Sequence, residues 1–201
     1  IERQGSLSNT HREISREKIA LAQSAMKTVF LKLTRETRSQ LCAFIAGDLA
    51  YFLAHNEPRE HAASGEMVRG SDVDIVIILS DALPEEVKET IDAEMIRLKS
   101  VYLRHPDHRQ EIDFITKRQS VMERQFGYAN IHDKIASKIA WESMFLAGSL
   151  TLYMEIREAM VRTGVGFSRT GFRAASDIVL SLRHGKPGQR APGDCASDAG
   201  R

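Results

Sequence analysis

Cysteine is scarce in this chain. Of 201 residues only Cys42, in an apolar run, and Cys195, in a Gly/Pro/Asp-rich tail, carry a thiol. Two such distant thiols do not make the disulfide framework of a small secreted scaffold, and they fit a reducing compartment. Long apolar runs are lacking too: no uninterrupted stretch approaches the roughly 20 residues that a membrane-spanning helix requires. The segment Ile1 to Asn9 is polar, unlike the charged-then-apolar pattern of a secretory signal. A cytosolic setting, with no membrane partner, is the expectation. An excess of one charge is also missing, because 28 Lys+Arg face 27 Asp+Glu for a net charge of +1. That balance argues against an extended electropositive groove tracking nucleic acid, while leaving local clusters able to bind a few phosphates. No internal repeat is present. The chain opens on Ile1 rather than methionine, which leaves room for sequence ahead of it.

What remains suits one compact domain, or one domain with a small helical extension. The hydrophobic fraction of 42% is enough for a sizeable core. Thr10-His-Arg-Glu13 has capping-box spacing and precedes a helical pattern. Ile19, Ala22, Met26, Val29, Phe30 and Leu33 follow at steps of three and four, giving an apolar stripe. Arg16, Lys18, Lys27, Lys32, Arg35 and Arg38 lie off that stripe and read as a solvated face rather than a binding face. Leu41 to Ala46 is a short apolar run ended by Gly47, as suits a buried strand entering a tight turn, and Asp48 to Ala54 reads as a helix. Asn56 to Gly70 is polar, contains Pro58, Gly65 and Gly70, and reads as a loop.

Asp72 to Leu79 is rich in valine and isoleucine and reads as a strand. Pro84, Glu85 and Glu86 suit a helix start, and Val87, Ile91, Met95, Leu98 and Tyr102 give that helix its buried stripe. Glu111 to Ile115 alternates polar and apolar residues like a half-buried strand. Ile131, Ile135 and Ile139 mark another helix, with Lys134 and Lys138 one turn apart on a different face. Ser143 to Ala147 is divided between a short strand and a continuation of that helix. Tyr153 to Val161 and Phe172 to Leu182 read as helices, and disorder is expected from His184 onward. This order of strands and helices implies an α/β domain with a mixed sheet.

The most informative stretch is Gly70-Ser71-Asp72-Val73-Asp74-Ile75-Val76-Ile77-Ile78. Alternate side chains of a strand share a face, so Asp72 and Asp74 point one way and Val73 and Ile75 the other. Two neighbouring carboxylates repel unless something compensates them. A divalent cation does so, and hard oxygen ligands suit magnesium, or manganese in its place. Gly70 and Ser71 would let the backbone bend close to a bound phosphate. Asp113, between Ile112 and Phe114 on the next predicted strand, is the candidate third ligand. Two metals about 3.5–4 Å apart could then clamp the attacking and leaving oxygens of an in-line displacement. The competing reading makes Asp72 and Asp74 a polar strand start, and Asp113 alone is as easily structural.

These residues resemble a family pattern, the nucleotidyltransferase fold of the DNA polymerase beta superfamily. Its members include aminoglycoside nucleotidyltransferases, glutamine synthetase adenylyltransferases and small antitoxin-type nucleotidyltransferases. The pattern is an apolar strand ending in Gly-Ser, a loop, Ser-Asp-x-Asp on a second strand and a third acid on a later one. Here the corresponding elements are Ile45-Ala46-Gly47-Asp48, Ser71-Asp72-Val73-Asp74 and Asp113, and Phe145 to Ser149 is similar to a later strand-glycine-helix element. The likeness covers residues 41–160. It implies a nucleotidyltransferase-like mixed β-sheet flanked by helices. On this reading 1–40 is an N-terminal helical extension, 41–163 the core, 164–183 a C-terminal helix and 184–201 a disordered tail.

The resemblance further implies magnesium-dependent transfer of a nucleoside monophosphate, AMP from ATP, onto a hydroxyl of a small molecule or protein, with pyrophosphate leaving. Asp72, Asp74 and Asp113 become both catalytic residues and metal ligands, and Gly47, Asp48, Gly70 and Ser71 the nucleotide cradle. A homodimer or a partner protein is compatible with it. Two departures stand out: Asp48 replaces the family's serine, and twenty-five positions separate Gly47 from Asp72. An acid near a triphosphate repels it, so either the cradle is built differently, from Ser64, Gly65 or Arg69, or catalysis is impaired. An impaired member would be a nucleotide-binding or antitoxin-type interaction module. Asp48 also reads as the cap of the following helix. Arg69 is a candidate phosphate contact or a solvated loop arginine. Lys138 is a candidate triphosphate contact or an ordinary exposed lysine. His105 and His108 read as a surface turn, since no cysteine or third histidine accompanies them.

Overall fold

A computed structural model describes residues 2–165. The expected helix at 172–182 and the tail from 184 lie outside the described residues. Among the described residues six helices and six strands run in the order α1 (Glu2–Leu31), α2 (Arg35–Ser39), β1 (Leu41–Ile45), a 3-10 turn (Gly47–Tyr51), β2 (Pro58–Glu60), β3 (Met67–Arg69), β4 (Val73–Leu79), α3 (Glu85–Arg104), β5 (Ile112–Arg118), α4 (Gln119–Gln125), α5 (Ile131–Trp141), β6 (Met144–Gly148) and α6 (Leu150–Arg162). The fold is mixed α/β, as the alternation of patterns implied.

Four strands form the main sheet in the order β5-β4-β1-β6. The central pair β1 and β4 is antiparallel, with Leu41 opposite Leu79 and Ile45 opposite Ile75. β5 lies parallel to β4, and β6 antiparallel to β1 with a register shift at Ala43/Phe44. The strong β-formers of β1 and β4 explain why these two occupy the centre: their residues are buried on both faces, except Asp74. Segment 143–147, divided between strand and helix in the sequence, is strand β6.

Helices cover both faces. On one, Ala22, Ala25, Met26 and Val29 of α1 and Ile91, Met95 and Leu98 of α3 pack on Ala43, Ile45, Ile75 and Ile77. On the other, Met122 and Phe126 at α4, Ala140 of α5, and Ile156 and Met160 of α6 pack on Cys42, Phe44, Val76 and Ile78. The stripes read from α1 and α3 are therefore the buried ones. α1 begins well before Thr10, so Thr10 to Glu13 lies inside the helix and is not its start, contrary to the capping-box expectation. No helix among the described residues is long and apolar enough to cross a membrane.

The stretch read as a loop, 56–70, contains a small hairpin, with Pro58 opposite Arg69 and Glu60 opposite Met67. Three-residue strands are too short for alternation to be legible, and Pro58 at a strand start masks the signal further. The hairpin returns to the sheet at Gly70, which has φ +52. A Cβ there would sit 1.8 Å from the His55 carbonyl oxygen. Gly65 in the hairpin turn has φ +69, but its Cβ would meet nothing closer than 3.5 Å. We therefore expect Gly70→Ala to cost well over about 1 kcal/mol and Gly65→Ala less, both measured by urea denaturation. Equal losses would show that left-handed strain alone, without the His55 contact, sets the cost.

Candidate functional site

The acidic residues of β4 and β5 meet because the two strands are parallel and in register. Asp74 is the direct partner of Asp113, so their side chains leave the sheet on one face, that of Val76 and Ile78. Asp72 precedes Asp74 by two positions and shares that direction. One carboxylate oxygen from each of Asp72, Asp74 and Asp113 lies within 4.8 Å of the other two. The structure thus brings together the three acids singled out in the sequence. The end of β1 completes the floor, where the Ala46 amide donates to the Asp74 carbonyl at 3.2 Å. A cleft of about 270 Å³ opens there, lined by Gly47, Asp74, Asp113, Phe114, Lys138 and Glu142 among others.

Such close carboxylates need positive charge, and two basic side chains supply it. Arg59 of β2 is ion-paired with Asp72, and Lys99 of α3 with Asp113. Arg59 has further anchors: its Nη2 donates to Glu111 Oε2 at 2.6 Å and its Nε to the Gly70 carbonyl at 2.8 Å. Glu111 is buried, and its Oε1 lies 3.3 Å from His61 Nε2, whose ring is held by Ser64 through Nδ1 at 2.8 Å. Sequence reasoning missed Arg59 and Lys99. Arg59 sits in the segment read as a loop, and Lys99 is one of several charged residues on α3. Nothing in their local pattern separates them from solvated side chains.

The expected phosphate cradle is less well assembled. Gly47 borders the cleft, and Lys138 reaches it from α5 but is ion-paired with Glu142 one turn on. The same Glu142 carboxylate acts on the Tyr51 hydroxyl, which burial first and then this neighbour push up to about 12. Asp48 does not cap the helix: Ala46 is the cap residue, and Asp48 stands in the first turn of the 3-10 segment. Its Oδ2 accepts from Ser71 Oγ at 3.4 Å.

The amides of Gly70 and Ser71 are already donated, to the carbonyls of Glu57 and His55, each at 3.1 Å. The freedom of Gly70 serves the close passage of residues 55–56. Arg69 lines a different cavity, of about 350 Å³, between α1 and the turn after α3, together with Lys18, Tyr102, His108 and Gln110. Ser64 and Gly65 lie in the hairpin turn.

One residue placed on the solvated face of α1 is buried. Lys18 is only 4% exposed. Its Nζ donates to the carbonyls of Arg69 at 2.9 Å and Ser71 at 3.0 Å, and to Gln110 Oε1. Gln110 in turn donates to the carbonyls of Ser71 at 2.9 Å and Glu111 at 3.0 Å. This node ties the entries of β4 and β5 together just ahead of Asp72 and Asp113. Periodicity misassigned Lys18 because its partners are 51 and more residues away in the chain.

No family model matches the chain, and neither a curated protein nor a solved structure matches it. The chemical character of the site therefore rests on its geometry. The donor set is three carboxylates from two adjacent strands beside an open cleft, a set that fits a hard divalent cation.

Burial, and then the nearby Arg59 and Arg69, lower the Lys18 ammonium from 10.5 to about 8, with Glu17 opposing them. Between those values the unfolded chain holds the proton and the folded chain does not, so wild-type stability should climb as pH rises from about 8 to 10.5. Lys18→Met should lack that climb and lose about 1–3 kcal/mol near neutral pH, because buried carbonyls lose their donor. Chemical denaturation of both proteins across this pH range checks the sign. A variant whose stability parallels wild type throughout would remove Lys18 from the node.

Proposed function

We propose that this protein is a metal-dependent nucleotidyltransferase, moving a nucleoside monophosphate from a triphosphate onto a hydroxyl with release of pyrophosphate. The observation that carries the reading is the in-register pairing of Asp74 with Asp113, with Asp72 on the same face. Asp72, Asp74 and Asp113 would hold magnesium or manganese. When bound, such a cation supplies fixed positive charge against the phosphoryl oxygens. The chain's own part is to present the three carboxylates on a rigid strand pair. It also shields one side of the cleft with Phe114 and Ile139, and places Lys138 at its border. Asp113 stands at the open edge strand, where its carboxylate can accept the proton of an incoming hydroxyl. ATP as the nucleotide, a small molecule or protein as the acceptor, and a cytoplasmic setting belong to this proposal.

A second reading has specific support. Asp48 near Ser71 places a further negative charge beside the site, and the amides of Gly70 and Ser71 are spent within the fold. Both features favour a nucleotide-binding or interaction module without turnover. Incubation with Mg2+, labelled ATP and a panel of hydroxyl acceptors, small molecules and proteins, separates the two: pyrophosphate release with label on an acceptor supports transfer, and ATP binding without release across the panel supports the module. The double variant Asp72→Asn, Asp74→Asn should lose Mg2+-dependent ATP affinity by more than about 100-fold, since first-hand ligands matter more than their outer supports. Its thermal midpoint without metal should hold, because the relief of repulsion among the acids offsets the lost ion pair of Asp72 with Arg59. Unaltered ATP affinity in that variant would sink both readings.

A further inference from the structure

We infer that Arg59 is the residue that grips a phosphate of the bound nucleotide; this rests on the nucleotide reading of the acid triad given above. The expected cradle has little to offer, since the Gly70 and Ser71 amides are donated internally and Arg69 lines the other cavity. Arg59 is different because it is held at the site by partners that do not belong to the triad. The Gly70 carbonyl takes its Nε and Glu111 takes its Nη2. Glu111 is itself fixed by burial and by His61. The guanidinium would therefore stay in place when Asp72 turns to a metal ion.

Lys99 offers a contrast on the same page. Asp113 is its hydrogen-bond and ion-pair partner, and among the described residues no second anchor holds the ammonium when that carboxylate is engaged elsewhere. An arginine already ordered by folding loses less side-chain freedom on gripping a ligand, and with Nε and Nη2 engaged by Gly70 and Glu111 its Nη1 is the nitrogen left, among the described residues, to meet a phosphate oxygen. Arg59 and Lys99 thus separate into two roles. Both neutralise the acids in the absence of a cation and compete with it, while Arg59 also presents a fixed positive group to the anion.

The test measures two affinities on the full chain: Mn2+ alone, followed by the resonance of free Mn2+, and ATP in the presence of Mg2+, followed by calorimetry. Arg59→Gln should leave Mn2+ affinity equal or raised, because a competing cation is gone. It should lower ATP affinity by about tenfold or more, the effect of a charge-assisted hydrogen bond. Lys99→Ala should raise Mn2+ affinity and leave ATP affinity within about twofold, a change below 1 kcal/mol. Arg59→Lys retains the charge without the fork and should recover only part of the loss. If Arg59→Gln fails to fold, Arg59→Lys carries the decision, and ATP affinity equal to wild type overturns the inference. Parallel falls in Mn2+ and ATP affinity would also overturn it, because they mark a merely structural role. Wild-type protein that binds neither Mn2+ nor ATP overturns the nucleotide reading and this inference with it. Wild-type binding with an unchanged Arg59→Gln overturns the inference alone.

Discussion

Like charges crowd where β4 and β5 begin, and much of the surrounding architecture answers that crowding. The parallel register sets Asp74 beside Asp113, and the two-residue repeat of an extended chain adds Asp72. Carboxylates this close repel strongly enough that a folded chain must oppose them with positive charge or take up protons. Here the opposition comes from Arg59 on one side and Lys99 on the other. Both arrive from elements outside the strand pair, so the acidic cluster is coupled to the placement of the β2–β3 hairpin and of α3.

That coupling extends beneath the sheet. Lys18 of α1 and Gln110 ahead of β5 bind the carbonyls of the chain entering β4. A buried ammonium is costly, and the three acceptors around it offset part of that cost. The entries of the two acidic strands are therefore fixed relative to each other by a polar node, while apolar packing of Val73, Ile75 and Ile77 fixes their bodies. A cleft opens beside Gly47, Asp113 and Lys138, with α5 forming part of its wall.

The legible and the illegible parts of this fold divide along a physical line. β4 and α3 were legible because many consecutive residues repeat one preference, and the buried faces fall where periodicity puts them. The Asp72/Asp74 pair was legible because two acids opening an apolar strand contradict its composition. The β2–β3 hairpin was not, since three residues per strand carry no period and its stability comes from Arg59, Glu111 and the Gly70 passage. The capping-box spacing at Thr10 misled because the same residue types recur inside long polar helices.

By itself the sequence determined the mixed α/β character, the apolar layers and the pairing of Asp72 with Asp74 on one face. Each of these follows from local rules of helix and strand geometry acting on neighbouring residues. Only the tertiary structure decided that Asp113 joins them, that Arg59 and Lys99 neutralise the cluster, and that Lys18 is buried. Those contacts join residues that are 13 to 92 positions apart in the chain. Chain register and sheet order bring such partners together, and no local pattern encodes either.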